Sequence, residues 1–373
     1  MSDFIPVSSP DLAGGNEEAY TLDCVRTGWI SSEGAYVRRF EEAWARYCGR
    51  AEGVAVSSGT AALQIAVRCL DLAAGDEVIM PSFTIVSCAN AVIEAGATPV
   101  LVDCAADTWT MDPAEVEAKI GPRTRAIMVV HIYGHPVDMD PVLAIAEKHG
   151  LFVIEDAAEV HGGEYRGRRC GSFGDISIFS FYANKIITTG EGGMVLTDNP
   201  GFAARARSLR NLCFRPERRF LHSELGHVYR MTNVQAALGL AQAERIEAFV
   251  ERKRAMARIY DELLADVPGV ALPVEKNWAK NVYWMYGIVL GDEHAGNAED
   301  VIKGMRARNI DTRAFFLGMH EQPLYRGRGL FAGESYPVTE RIARRGLYLP
   351  SGLLLTPAQQ ETVVRALRAV LGL

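Results

Sequence analysis

The chain has 373 residues, of which 49% are hydrophobic and 23% are charged, and its formal net charge is −7 at pH 7. This length and composition indicate a globular protein with a large core and two domains. The acidic balance argues against nonspecific binding of nucleic acid. The seven cysteines are scattered singly along the chain. We therefore expect reduced thiols and neither a disulfide framework nor a metal site.

The N-terminus and the hydropathy of the chain argue against two further classes. Residues 1–6 lack the basic and apolar regions of a secretory signal peptide. The apolar runs all fall short of the ~20 residues that a membrane span needs. We therefore expect a cytoplasmic protein that does not contact a membrane.

The first strand candidate leads into a loop suited to a phosphate. Gly53–Val56 is a short apolar run, Ser57–Thr60 follows it, and Ala61–Leu70 has a helical pattern. Backbone N–H groups and the dipole at a helix N-terminus favour an anion, and Gly59 allows the backbone to approach it closely. The loop is neither a Walker loop, because no lysine follows Gly59, nor the dinucleotide fingerprint.

Strand and helix candidates alternate from about residue 50 to 245. The later strand candidates are Glu77–Met80, Thr98–Val102, Arg125–His131, Leu151–Glu155, Asp175–Phe181 and Gly193–Thr197. The helix candidates between them are Ile85–Ala95, Pro113–Ile120 and Asp140–His149. Such alternation predicts an α/β fold with a mostly parallel sheet and helices on both of its faces.

Asp156 lies at the carboxyl end of the strand candidate Leu151–Glu155. Ligands of open α/β sheets gather beyond these strand ends. A carboxylate there can pair with a pyridinium nitrogen and keep that ring able to accept electrons. It can equally cap the N-terminus of a helix, and the residue alone leaves both interpretations open.

Lys185 stands in a polar loop between two apolar strand candidates, Asp175–Phe181 and Gly193–Thr197. A lysine between core strands is costly to desolvate unless it has a function, such as forming a Schiff base with a carbonyl. An isolated loop lysine is usually just a surface residue. The functional interpretation is favoured here because Asp156 and the phosphate-type loop precede Lys185 in the expected order.

The C-terminal third of the chain is expected to form a smaller α+β unit. The expected elements are a helical stretch over residues 233–271, a strand at Val282–Leu290, and helices at Ala298–Arg308 and Pro357–Leu371. We expect a large domain over residues 1–250, including the N-terminal segment, and a small domain over residues 251–373. The arginine-rich stretch 205–219 either is a solvated surface or meets a phosphate.

Taken together, these motifs resemble one known family. Segments 58–60, 155–159, 179–185, 188–193 and 229–239 are similar to motifs of the DegT/DnrJ/EryC1/StrS sugar aminotransferases, and the resemblance covers nearly the whole chain. It implies a fold-type I transferase dependent on pyridoxal 5′-phosphate (PLP). It also implies a homodimer with shared active sites and PLP bound by the large domain. Residues 184–193 most resemble members that aminate C4 of a GDP-linked 4-keto-6-deoxyhexose.

The resemblance also implies roles for single residues. Lys185 matches the Schiff-base lysine, Asp156 the partner of the pyridinium nitrogen, and Glu159 a position near the ring oxygen of the cofactor. The phosphate contacts that it implies are Ser58, Gly59, Thr60, Ser180 and, from the other subunit, Asn233. The candidate substrate contacts are His320, Trp29 and Arg219. Arg219, or a neighbour in the stretch 215–219, is nominated for the diphosphate because an acidic chain must concentrate basic groups there.

One position departs from the family pattern. The residue after Pro81–Thr84 is commonly an aromatic residue that stacks on PLP, but this chain has Ile85. Either Ile85 packs on the ring as an aliphatic side chain, or Phe83 shifts toward it.

The expected function is transfer of an amino group, with L-glutamate as the expected donor, to a nucleotide-linked keto sugar. A PLP-dependent sugar dehydratase is one alternative, although that branch of the family has histidine where this chain has Lys185. A catalytically silent nucleotide-sugar or PLP-binding regulator is another, and the presence of both Lys185 and Asp156 speaks against it. His131 and His135 are not expected to form a helical zinc pair, because Gly134 and Pro136 interrupt a helix.

Overall fold

The computed structural model describes residues 4–215 and 217–373. The strands are β1 (Glu52–Val56), β2 (Glu77–Pro81), β3 (Thr98–Val102), β4 (Thr124–Val130), β5 (Phe152–Asp156), β6 (Glu164–Tyr165), β7 (Arg168–Arg169), β8 (Ile176–Ser180), β9 (Gly193–Thr197), β10 (Val270–Ala271), β11 (Ala279–Lys280), β12 (Tyr286–Leu290), β13 (Arg313–Ala314) and β14 (Gly346–Leu349).

The helices are α1 (Glu17–Thr27), α2 (Ala35–Cys48), α3 (Gly59–Cys69), α4 (Val86–Glu94), α5 (Pro113–Val116), α6 (Met139–His149), α7 (Pro200–Leu209), α8 (Asn233–Ala243), α9 (Ile246–Leu264), α10 (Ala298–Arg306), α11 (Pro323–Arg326), α12 (Pro337–Arg345) and α13 (Pro357–Leu371). Short 3₁₀ turns also occur at Glu117–Lys119 and Met319–Glu321.

A mostly parallel sheet forms the centre of the fold, as the sequence predicts. Its strand order is β1-β9-β8-β5-β4-β2-β3, and β9 runs antiparallel to both of its neighbours. The pairs β2–β3, β2–β4, β4–β5 and β5–β8 are parallel. The fold prediction is thereby confirmed, and the carboxyl ends of β4, β5 and β8 meet at one edge of the sheet.

The central strands form where the sequence has uninterrupted apolar runs. Every residue of β8 and β9 is buried, which is typical of strands covered on both faces. Local signals set the helix ends: the Ser58 hydroxyl accepts the Ala61 N–H at the start of α3, and Gly150, with φ of 64°, ends α6.

The predicted helical stretch 233–271 is wrong as a single element. It divides into α8 and α9, and a short strand, β10, occupies residues 270–271. The break falls at Arg245, whose guanidinium bonds the carboxylates of Asp11 and Glu17. Helices α1 and α2, which the sequence pattern did not reveal, pack against α8.

A second sheet, of order β10-β12-β14-β13, forms a separate hydrophobic core with α9, α10 and α13. The strand predicted at Val282–Leu290 is shorter, because residues 281–285 are irregular and lie against Gly134. A Cβ atom at Gly134 would lie 2.6 Å from the Tyr283 nitrogen and 2.7 Å from the Trp284 nitrogen. A glycine is therefore needed where this segment meets the large sheet.

The expected domain boundary at residue 250 falls inside α9. Phe249 and Val250 belong to the core of the central sheet, whereas Met256 and Tyr260 belong to the core of the second sheet. The division into residues 1–250 and 251–373 stays a prediction. Residues 1–3 of that range, and Pro216 of the arginine-rich stretch, lie outside the described residues. Among the helices that the structure describes, none has the length and apolar character to cross a membrane.

Candidate active site

A cavity of about 350 Å³ opens at the carboxyl edge of the central sheet. Its lining combines residues around the large sheet with aromatic residues from the second lobe, the part of the chain that contains the second sheet. The lining residues are Ser58, Gly59, Thr60, Leu63, Thr84, Ile85, Ser87, Val130, Asp156, Ala158, Glu159, Ile178, Ser180, Tyr182, Asn184, Lys185, Glu191, Trp284, Phe316 and Tyr348. Most of the sequence-predicted cofactor residues therefore come together in one place.

The N-terminus of α3 forms one wall of this cavity. Ser58 caps the helix and Gly59 begins it, so unpaired N–H groups and the positive end of the helix dipole face the opening. A Cβ atom at Gly59 would lie 2.7 Å from Cβ and 3.0 Å from Oγ of Ser180. Gly59 therefore lets the helix and β8 approach closely, with the Thr60 and Ser180 hydroxyls beside the helix terminus.

Lys185 projects into the cavity and is almost fully buried. Its Nζ lies 3.7 Å from Oε1 of Glu159 and 3.6 Å from the ring centroid of Trp284. Desolvation lowers the pKa of Lys185 despite the opposing charges of Glu159 and Asp156. A larger fraction of neutral amine at a given pH suits a nucleophile or a base.

Asp156 ends β5 with its carboxylate held on both oxygens. Oδ1 accepts the Ala158 N–H at 3.0 Å, and Oδ2 accepts the Cys88 thiol at 3.3 Å. Desolvation raises the pKa of Asp156, while these hydrogen bonds and the charge of Lys185 act against that rise. The Ala158 bond fits the helix-cap interpretation locally, but no regular helix follows β5 directly, and the carboxylate borders the cavity.

Glu159 is a third titratable residue in the cavity, beside Lys185 and Asp156. Its Oε2 accepts the Tyr133 N–H at 3.0 Å. Desolvation raises the pKa of Glu159 to about 7, and the charge of Lys185 opposes the rise. Glu159 and Lys185 thus form a buried pair of opposite charge, and burial moves their pKa values toward each other.

The two alternatives for the ring-stacking position differ in exposure. Ile85 lines the cavity and is 42% exposed, whereas Phe83 is fully buried. Phe83 packs in an aromatic cluster with Tyr133, Phe315 and Phe316, at centroid distances of 5.8–6.0 Å. Ile85 is therefore the side chain of the two that can meet a ligand in this cavity.

Trp284 and Tyr348 also line the cavity, although the sequence pattern predicts neither of them. Both come from the second lobe, about 100 and 160 residues beyond Lys185 in the chain, and no local motif marks either one. Trp284 stands in the irregular segment before β12, and its Nε1 donates to the Asn184 carbonyl at 2.7 Å.

Two expected site residues, His320 and Asn233, are buried and lie outside the cavity lining. His320 is 1% exposed, and its ring nitrogens bond Ser82 Oγ at 2.8 Å and Glu340 Oε1 at 3.2 Å. Both nitrogens are thus engaged away from the cavity lining, and contact of His320 with a sugar stays a prediction. His320 instead joins the turn after β2 to α12.

Asn233 is the second of these residues. Its Oδ1 accepts the Tyr36 N–H at 2.9 Å, and its Nδ2 donates to the Trp29 carbonyl at 2.5 Å. The side chain is 2% exposed and fastens the loop between α1 and α2 to α8. Contact of Asn233 with a phosphate in the other subunit stays a prediction.

Trp29 and Arg219 are exposed residues that do not line the Lys185 cavity of their own chain. Trp29 is 60% exposed. The guanidinium of Arg219 lies over the ring of Phe214, 5.1 Å from its centroid, and borders a separate open depression with Arg215. Their roles as substrate contacts stay predictions, and they depend on a second copy of the chain.

Two buried histidines near the site have structural partners. His131 bonds Glu155 Oε1 at 2.9 Å through Nε2 and accepts the Val137 N–H through Nδ1. Cys170 lies within 4.8 Å of these ligand-type atoms, yet Glu155 also accepts backbone N–H groups. His161 donates to the Ser180 carbonyl at 2.8 Å rather than to Asp156.

The residues fit PLP. The cavity offers an anion site at α3, a lysine, and a carboxylate at β5. The Asn184 Oδ1 is buried and finds no hydrogen-bond partner among residues 4–215 and 217–373, although its side chain borders the cavity. A parallel sheet with this lysine and aspartate at its carboxyl edge defines a fold-type I PLP-dependent enzyme.

The comparisons extend this class assignment to a family. The chain belongs to the DegT/DnrJ/EryC1/StrS aminotransferase family, whose model matches residues 12–368. It is 44% identical to a GDP-perosamine synthase of Caulobacter vibrioides, with 100% of each chain covered, and 39% identical to one of Escherichia coli O157:H7, with 93% of each covered.

Solved structures agree with this assignment. DesV of S. venezuelae, in complex with a ketimine intermediate, superposes with a TM-score of 0.90 at 36% identity, over 99% of this chain and 98% of that chain. DesI, in the presence of its TDP-sugar product, gives a TM-score of 0.89 at 32% identity, over 99% and 93%. The protein is a PLP-dependent sugar aminotransferase.

Proposed function

We propose that this enzyme transfers the amino group of L-glutamate to C4 of a GDP-linked 4-keto-6-deoxyhexose. The observation that carries the proposal is the meeting of Lys185, Asp156 and the N-terminus of α3 in one cavity. The GDP-linked acceptor is supported by three relatives named GDP-perosamine synthase, which are 37–44% identical over 93–100% of this chain.

PLP, when bound, supplies a carbonyl that exchanges amines and a ring that withdraws electrons from the carbon being deprotonated. Ser58, Gly59, Thr60 and Ser180 would hold its phosphate at the N-terminus of α3. Ile85 would cover one face of the ring. Lys185 would carry the covalent link, and Asp156 would hold the ring nitrogen.

Lys185 is the proposed base. Its amine takes the proton from Cα of the amino donor and returns a proton later in the same half-reaction. Burial favours the neutral amine that this step needs, since it lowers the pKa of Lys185. Glu159, 3.7 Å away, can take up or supply the proton that sets the charge of Lys185.

Asp156 is the proposed electrostatic anchor. A carboxylate buried this deeply is costly without a positive partner, and a protonated ring nitrogen would be that partner. The two hydrogen bonds from Ala158 and Cys88 fix its orientation. A positioned charge in a water-excluded site contributes far more than the same charge in water.

The assembly and the compartment are also part of the proposal. We infer a homodimer in which Trp29 and Arg219, exposed in one chain, approach the cavity of the other. A cytoplasmic location is supported by the cysteines: the seven in the sequence are all free thiols, and all are buried.

A product assay tests the function. Purified enzyme with PLP, L-glutamate and a GDP-linked 4-keto-6-deoxyhexose should give equal amounts of 2-oxoglutarate and an amino sugar nucleotide, identified by mass spectrometry. The Lys185→Ala variant should give neither. A TDP-linked 4-keto-6-deoxyhexose serves as the competing acceptor, and faster turnover of that compound would overturn the GDP assignment.

The same assay separates transamination from dehydration. A deoxygenated keto product, with ammonia released and no nitrogen kept on the sugar, would favour the dehydratase. A protein that binds PLP and sugar nucleotide without turnover would favour the silent regulator.

A further inference from the structure

Trp284 contacts Lys185 from the second lobe. The Lys185 Nζ lies 3.6 Å from the centroid of the indole ring, well within the ~6 Å range of a cation–π contact. Little of either residue is exposed: 9% of the Lys185 side chain and 4% of Trp284. Such contacts strengthen when water is excluded, and tryptophan is the best of the aromatic partners.

The indole ring is fixed by a hydrogen bond to the neighbouring residue. Trp284 Nε1 donates to the Asn184 carbonyl at 2.7 Å. One side chain therefore holds both the backbone before Lys185 and the end of the lysine side chain.

The backbone of Trp284 is held as firmly as its ring. Its carbonyl accepts the Nζ of Lys253 at 2.8 Å, and Lys253 is itself buried. On its N-terminal side, the segment lies so close to Gly134 that a Cβ atom there would stand 2.7 Å from the Trp284 nitrogen. Contacts from both lobes therefore hold Trp284 in one position.

We propose that Trp284 is a positioning residue for Lys185, and that its indole face holds the lysine ammonium whenever Lys185 is not linked to the cofactor. This inference rests on the proposed function. When the neutral amine of Lys185 removes the Cα proton, the electron pair of that C–H bond stays with the donor carbon, and Lys185 becomes an ammonium ion. Trp284 stabilises that ion within reach, and Lys185 becomes neutral again when it returns the proton.

Other titratable groups around Lys185 also bear on its pKa, and their effects differ from that of the indole ring. Glu159 and Asp156 favour the ammonium form by their charge, while desolvation opposes it. His161 stays neutral because burial lowers its pKa to about 3, and burial raises the pKa of Tyr348 to about 12. The indole face adds to the two carboxylates without adding charge of its own.

Competitive labelling of the cofactor-free protein tests this role without substrate. Acetic anhydride acylates only the neutral amine, so the pH dependence of Lys185 labelling, read by peptide mass spectrometry, gives the pKa of Lys185. Trp284→Leu should lower that pKa by about one unit, because a desolvated cation–π contact is lost. Trp284→Phe should lower it less, because a weaker aromatic face remains.

A matched control and a second perturbation keep the test decisive. Trp278→Leu changes a partly buried tryptophan that packs on His135 and Tyr165 instead, and it should leave the Lys185 pKa unchanged. Gly134→Ala should displace the Trp284 backbone and lower the pKa in the same direction as Trp284→Leu.

In the loaded enzyme, Trp284→Leu should raise the kinetic isotope effect with Cα-deuterated glutamate, because proton transfer becomes slower relative to the other steps. An unchanged or raised Lys185 pKa in Trp284→Leu, with the fold intact by circular dichroism, would overturn the inference. The labelling result does not depend on which sugar is the acceptor, so it stands apart from any failure of the proposed function.

Discussion

The thiol of Cys88 donates a hydrogen bond to Oδ2 of Asp156 over 3.3 Å, and both side chains are buried. The Cys88 sulfur also lies 3.3 Å from Oγ1 of Thr84. The carboxylate proposed to anchor the cofactor ring is therefore held by a helix α4 residue as well as by the backbone of Ala158. A change at Cys88 should reach the chemistry through Asp156.

Cys88→Ala should lower turnover by roughly tenfold or more, because a hydrogen bond to a buried charge contributes about 1.5–3 kcal/mol. Cys88→Ser should retain most of the activity, since a hydroxyl can donate to the same oxygen. The measurements are kcat as a function of pH and the absorbance of bound PLP.

Cys69→Ala is the control for Cys88. Cys69 is also a buried thiol, but its sulfur lies 3.7 Å from the Phe202 carbonyl, away from the cavity. Equal losses in Cys88→Ala and Cys69→Ala would mean that the thiol of Cys88 serves packing alone.

Glu159→Gln should change how stability depends on pH. Desolvation raises the pKa of Glu159 to about 7 in the folded chain, above the ~4.3 of an unfolded chain. The folded state therefore binds more protons between these values, and this group's contribution to stability is lost as the pH rises through 7. The variant should thus gain stability over the wild type at pH 8 relative to pH 5.

Thermal unfolding of both cofactor-free proteins at the two pH values measures this difference. Glu262→Gln, which changes an exposed carboxylate on α9, should show no such change between pH 5 and pH 8. A constant difference in Tm between wild type and Glu159→Gln would argue against titration of Glu159 in this window.

Lys253→Met should change the pH dependence of stability in the opposite direction from Glu159→Gln. Desolvation lowers the pKa of Lys253 to about 7, below the ~10.4 of an unfolded chain. The unfolded state binds more protons between these values, so wild-type stability rises with pH from 7 to 10 through this group. Methionine removes that slope, and the stability of the variant relative to wild type should be most favourable below pH 7.

Urea unfolding at pH 6.5 and pH 9.5 checks this expectation. Lys303→Met alters an exposed lysine of α10 and should leave the slope unchanged. The variant also loses the Lys253 bonds to the carbonyls of Trp284 and Ser351, so the change of stability with pH, rather than the stability at one pH, is the decisive quantity.

The sequence predicted the central sheet well because its strands are local features. Each buried strand is an apolar run bounded by polar residues or glycines, and the observed strands agree with the predicted ones within about two residues. Lys185 and Asp156 were recognisable for the same reason, since each directly follows such a strand or loop in a characteristic motif.

Contacts between residues far apart in the chain cannot be predicted from such local features. Trp284 and Tyr348 reach the cavity only because the second lobe folds back onto the first, and no spacing in the sequence marks them. His320 and Asn233 match positions of the family's motifs. In the fold, however, His320 forms hydrogen bonds with Ser82 and Glu340, and Asn233 forms them with Trp29 and Tyr36. A polar residue in a motif can serve the scaffold rather than the ligand.

Arg219→Ala should raise the KM for the sugar nucleotide several-fold and leave the KM for glutamate unchanged. An arginine that meets a diphosphate loses a strong, charge-assisted contact when truncated, whereas glutamate has no diphosphate. Initial rates with each substrate varied in turn measure both constants. Arg258→Ala changes an exposed arginine of α9, outside the stretch 215–219, and is the matched control.

Hybrid dimers decide which chain Arg219 serves. In a mixture of Lys185→Ala and Arg219→Ala protomers, the hybrid has one cavity with an intact Lys185. That cavity faces an intact Arg219 only if the arginine comes from the partner subunit, because its own chain carries alanine. We therefore expect the hybrid to recover the wild-type KM for the sugar nucleotide at up to half the wild-type turnover. A hybrid that keeps the raised KM of Arg219→Ala would place the arginine in its own chain's site or outside the site altogether.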